Sequence, residues 1–115
     1  VNIEDITEWI IIHRTNGAFP YTCSEIHNLV TVSIINDVFG FTLNKENFIT
    51  GVACGEKSIE KKEIYIHDVL TTQKGAIKIL MKKYIEKYPD WKIVSSCRGR
   101  PRIISNPTKF ERRLK

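Results

Sequence analysis

From Asn2 to Arg14 the residues Ile3, Ile6, Ile10 and His13 recur at helical spacing, with Glu4, Asp5 and Glu8 towards the N-terminal end, where a helix dipole favours acids. The stretch Thr15-Asn16-Gly17-Ala18-Phe19-Pro20 breaks this pattern. Ser24 is placed to cap a second helix carrying Ile26, Leu29 and Val30, with Glu25 in its first turn. Leu29 to Ile35 also alternates as a strand would, so this element has two readings. Three strands are expected next: Phe39 to Leu43, Phe48 to Cys54, and Glu63 to Leu70. Gly51 and Gly55 in and just after the second predict a bulge or a close backbone approach. In the third, Ile64 and Ile66 point one way, and Glu63, Tyr65 and His67 the other.

The clearest helix is Gly75 to Tyr88. Ile77, Leu80, Met81, Tyr84, Ile85 and Tyr88 share one face, and Lys78, Lys82 and Lys87 lie off it. Pro89-Asp90 ends it, and Trp91 to Cys97 reads as a further strand. Strand, helix and strand in that order predict a crossover between parallel neighbours. After an Arg-rich turn, Asn106-Pro107 opens a short final helix that ends near Leu114.

At 115 residues the chain has room for one domain and one core. Hydrophobic residues at 42% and charged residues at 27% exclude wholesale disorder. The longest apolar run is Trp9 to Ile12, too short to span a membrane. No secretory signal pattern opens the chain, and the expectation is a cytoplasmic protein. Cys23, Cys54 and Cys97 are widely spaced and form no C-x-x-C pair. They read as reduced thiols rather than a disulfide frame or a metal site, and no metal is expected. Eighteen Ile and twelve Lys against three Ala match A/T-rich codons, as in a low-GC bacterium or its phages.

The net charge of +5 is unevenly held. Residues 98–115 carry seven Lys and Arg against Glu111, a local +6, which leaves −1 for the rest. A basic C-terminal arm predicts an anionic partner. Within it, Arg98-Gly99-Arg100-Pro101-Arg102 is similar to an AT-hook core, in which arginines enter the narrow, negative minor groove of A/T-rich DNA. The alternative is an Arg-rich turn that pairs with phosphates or with the acidic remainder of the chain.

The order of elements resembles the GNAT superfamily, the acetyl-CoA-dependent N-acetyltransferases. The resemblance covers about residues 1–114. It runs through two N-terminal helices, an antiparallel meander that includes Phe48-Ile49-Thr50-Gly51-Val52-Ala53, the crossover Glu63 to Cys97 and a final helix. It implies an α/β (α+β) fold with a mixed central sheet flanked by helices, here without the family's first and last strands. The family's cofactor motif is Gln or Arg, two residues, Gly, one residue, then Gly or Ala. With Gly75 at its first glycine, Thr72 and Ile77 take its outer positions. The resemblance thus implies acetyl-CoA as cofactor, its pyrophosphate on the amides of Thr72, Gln73, Lys74, Gly75 and Ala76 at a helix N-terminus.

In an active enzyme Glu63 or His67 would take a proton from a substrate ammonium, directly or through water, freeing an amine to attack the thioester. Backbone N–H groups near Val69 and Leu70 would stabilise the oxyanion. The same residues also suit a half-solvated strand face. Three functions follow as expectations. The first is acyl-CoA-dependent N-acyl transfer to a small-molecule or protein amine. The second is a catalytically silent relative serving as a structural or binding module, for example in a phage particle. The third is DNA binding through the arm.

Overall fold

The computed structural model describes residues 2–15, 17–97 and 100–105. The chain runs α1 (Ile3–His13), α2 (Cys23–Ile35), β1 (Gly40–Leu43), β2 (Ile49–Ser58), β3 (Glu63–Thr71), α3 (Ala76–Lys87), β4 (Lys92–Cys97) and β5 (Arg100–Ser105). Asn2 caps α1, its side chain accepting from the Asp5 amide at 2.8 Å. The second element is a helix, not a strand, and its cap is Thr22 rather than Ser24. The Thr22 hydroxyl accepts from the Glu25 amide at 3.2 Å, and the Glu25 carboxylate accepts from the Thr22 amide at 3.0 Å. This reciprocal pair satisfies two orphan N–H groups together, an advantage that a cap at Ser24 would forgo.

The five strands form one sheet in the order β1-β2-β3-β4-β5. Every neighbouring pair is antiparallel except β3 and β4, which α3 joins in parallel. This is the expected crossover. A fifth strand was not expected. Arg100, Pro101 and Arg102 continue into β5 and pair with Cys97, Ser96 and Ser95. The segment read as a turn or a hook, residues 98–102, therefore has three of its five residues committed to the sheet. Arg98, Gly99 and the expected final helix at 106–114 lie outside the described residues.

Helices cover both faces of the sheet. Ile6, Ile10, Phe19, Ile26 and Val30, from α1, α2 and their connection, pack on Val52, Cys54 and Leu70. On the opposite face Leu80 and Tyr84 of α3 pack on Ala53, Ile64, Ile66 and Ile93. The fold is thus a mixed α+β architecture with an apolar core on each side. The Tyr84 hydroxyl donates to the Val38 carbonyl at 2.6 Å, and that of Tyr88 to the Asp37 carbonyl at 2.6 Å. Lys87 pairs with the Asp37 carboxylate and holds it below the usual carboxylate range. These contacts tie α3 to the chain that leads into β1.

One irregularity sets the chemistry of the sheet. Cys54 pairs with Asp68 while Gly55 pairs with Ile66, so His67 is an extra residue in β3. A β-bulge of this kind bends its strand and shifts the alternation by one. Ile64 and Ile66 face α3 before it; Val69 faces α3 after it, and Leu70 the other core. A Cβ at Gly55 would collide with the Tyr65 carbonyl oxygen, so the close approach needs glycine. From α2, the buried Ser33 hydroxyl accepts from the Gly55 amide and stands 3.3 Å from the Gly55 carbonyl, to which it is placed to donate. It meets both backbone groups where the ladder is disturbed.

Candidate active site

β3 brings together the residues that carry chemistry. Glu63, Tyr65 and His67 share the face expected of them. Tyr65 donates its hydroxyl to the Glu63 carboxylate, and its ring stacks on that of His67 at a centroid separation of 6.5 Å. His67 Nε2 lies 3.2 Å from the carboxylate of Glu56 on β2. Glu63 and His67 therefore flank Tyr65, and each already has a partner.

Asp68 joins this face because of the bulge. Uninterrupted alternation would put its carboxylate under α3 with Ile64 and Ile66. Instead it meets Tyr21, which follows α1; the phenol donates to the two carboxylate oxygens at 3.2 and 3.5 Å. Asp68 is half-buried, and desolvation pushes its carboxyl above the ordinary aspartate range, against the opposing pull of the Tyr21 hydrogen bond and of His67. Tyr21 is pushed up in turn, by burial and then by the Asp68 charge. Sequence reasoning missed this pair. The available signal was Gly55, which marks the bulge opposite His67 and so the change of face at Asp68.

The strands part at the same place. β3 and β4 pair from Glu63 with Lys92 as far as Ile66 with Ser95. β3 then runs on to Thr71 held by β2, while Ser96 and Cys97 pair with β5. The bend at His67 carries β3 away from its parallel neighbour. Among the described residues, the edge of β3 that faced β4 has no partner in the sheet beyond Ile66. Of the two residues assigned to an oxyanion, Val69 pairs with Ala53 of β2 and Leu70 with Val52.

The turn into α3 is open. Gly75 is the N-cap, at φ +88°, with no side chain to satisfy the helix amides, and a Cβ there would meet nothing within 4 Å. Two of the five amides assigned to an anion are already engaged. Thr72 N–H donates to the Thr50 carbonyl at 2.9 Å and Ala76 N–H to the Gln73 carbonyl at 3.2 Å. The first helical hydrogen bond is Ile79 to Gly75, which leaves the Ile77 and Lys78 amides without an intrahelical acceptor. Beside the turn lies a cleft of about 470 Å³, flanked by Lys74, Lys45, Gln73 and Asn44. Two of its lining residues, Thr42 and Thr50, share a buried hydrogen bond of 2.9 Å. Ile77, at the position where the family motif has a small residue, is half-exposed on the first turn.

The thiol of Cys54 is buried, and desolvation pushes it up to about 12, so it is no nucleophile. His27 pairs with Glu4 at 3.6 Å and His13 packs on Trp9, both away from β3. Among the described residues no group of three or more His, Cys, Asp or Glu could hold a metal ion, and no helix is long and apolar enough to cross a membrane. The chain matches no protein-family model, no curated protein and no solved structure.

Proposed function

We propose that the chain is an acyl-CoA-dependent N-acyltransferase acting on an amine, with Asp68 rather than Glu63 or His67 as the group that accepts the proton. The observation that carries this reading is the conjunction on β3. The strand leaves its parallel neighbour after Ile66, the bulge there turns a half-buried carboxylate onto the Tyr21 side, and the same strand runs into an uncapped helix N-terminus. A carboxylate with a raised pKa is a better base than an ordinary aspartate. In this reading Asp68 takes one proton from the substrate ammonium. The free amine would then attack the thioester carbonyl carbon; as the C–S bond breaks, the second proton of the nitrogen would pass to the departing thiolate, and the first would leave Asp68 for solvent. The Val69 N–H on the parted edge of β3 would face the oxyanion; that of Leu70 points to Val52 of β2. Lys45 and Lys74 in the cleft would meet the phosphates of the cofactor, against the opposing charge of Glu46 in the same lining.

Ile77 favours a second reading, a silent relative that keeps the fold as a binding module, because its side chain stands where a pyrophosphate would approach. Calorimetric titration with acetyl-CoA separates the two. Lys74→Ala is the companion variant, expected to weaken binding without disturbing the fold. A valine at Gly75 would strain the left-handed backbone there, so it would not report on the cofactor alone.

A further inference from the structure

Arg14 stands at the C-cap of α1, away from β3 in sequence and outside every motif read above. Its Nη1 donates to the Tyr21 carbonyl at 2.7 Å and to the Phe19 carbonyl at 3.2 Å. The segment it gathers is otherwise costly. Gly17 lies at φ +86° and Phe19 at φ +47°, a left-handed conformation that is unfavourable for a bulky residue. The Phe19 ring is fully buried and anchors the segment, and Tyr21 N–H donates back to the Phe19 carbonyl at 2.8 Å. One guanidinium thus holds the two carbonyls on either side of Pro20, and the next side chain along is the phenol on Asp68.

We propose that Arg14 is a positioning residue. By clamping the Phe19 and Tyr21 carbonyls it sets the Tyr21 phenol on Asp68 and so fixes the protonation of the carboxylate. The link to catalysis rests on the acyl-transfer reading above; the clamp itself does not. The groups around the pair come from three elements: Glu25 of α2, Cys54 of β2, and His67 beside Asp68 on β3. Burial, the Asp68 charge and the Asp68 hydrogen bond all move Tyr21 upward. Release of the segment therefore has one sign, a fall of the Tyr21 titration towards the ordinary phenol value.

The test follows the Tyr21 ring carbon by NMR with labelled tyrosine through an alkaline titration, in the parent chain, Arg14→Ala, Arg14→Lys and Asp68→Asn. Arg14 is exposed, so the alanine variant leaves both cores intact. Arg14→Ala and Asp68→Asn should each lower the Tyr21 titration, and Arg14→Ala should also move the carboxyl titration of Asp68. Lysine, whose single ammonium can still donate to both carbonyls as Nη1 does, should stay closer to the parent than alanine does. A Tyr21 titration unchanged in Arg14→Ala would overturn the proposal, whatever happens to the melting temperature. Where melting obscures the alkaline limb, the Asp68 carboxyl titration in the Arg14→Ala chain decides by the same criterion: a value equal to the parent's refutes the clamp. The readout is not turnover, so its failure leaves acyl transfer standing, and a chain that binds no acetyl-CoA leaves the clamp standing.

Discussion

Asp68 is held at a cost to the fold. Its carboxyl is raised by desolvation, so the folded chain keeps the proton to higher pH than the unfolded chain does. The stability linked to this group is full below the ordinary aspartate range and is lost as pH rises through the raised folded value. Asp68→Asn keeps an oxygen for the Tyr21 hydroxyl and removes the charge. Urea unfolding should find this variant gaining on the parent as pH rises from the ordinary aspartate range through the raised folded value. A variant less stable than the parent at pH 7 would make Asp68 a structural carboxylate. The same substitution should abolish acyl transfer while leaving acetyl-CoA affinity unchanged. A side chain that weakens the fold and sits where two strands part fits a catalytic role better than a packing one.

Among the elements, the bulge in β3 depends on Gly55 and Ser33 together. Ser33→Ala leaves two backbone groups in the core without their partner and should cost about 1–3 kcal/mol in urea unfolding. Gly55→Ala drives a methyl group against the Tyr65 carbonyl and should cost more than that. Equal losses, or none, would show that β2 and β3 can pair without the bulge. Elements with a clean period were legible in the sequence. The face of α1, the helix ending at Pro89 and the Ile64–Ile66 alternation each express one burial pattern over several residues. α2 was ambiguous because Leu29 to Ile35 fits both periods; a tertiary contact, Ser33 on Gly55, uses it as a helix. β5 was hidden because Arg and Pro are poor strand residues, which an edge strand tolerates. Of the candidate site, Glu63 and His67 were visible as side chains sharing a face, and Gly55 as a bulge. Asp68 was not, since its face follows from where the bulge falls and Tyr21 reaches it from 47 residues away.

At the scale of the whole molecule, the charge is unevenly held along the chain. The +6 of residues 98–115 is set against −1 elsewhere, so any affinity for duplex DNA should reside in the arm. If about three to five cations there meet phosphates, log K should fall against log salt with a slope of roughly −3 to −4.5. Replacing Arg98, Arg100 and Arg102 with alanine should flatten that slope, and with it any preference for A/T-rich duplex. Binding that keeps its slope after the triple replacement would place the contact elsewhere. Because Arg100 to Arg102 pair with β4, a hook-like mode also requires β5 to leave the sheet, and hydrogen exchange at residues 100–105 should then speed up on binding DNA. The account itself stands or falls at the parted edge of β3. Isothermal titration of the parent chain with acetyl-CoA tests it most directly. The account predicts saturable one-to-one binding, weakened in Lys74→Ala and retained in Asp68→Asn. No heat of binding with the ligand at about 1 mM, a bound on affinity near −4 kcal/mol, would contradict it.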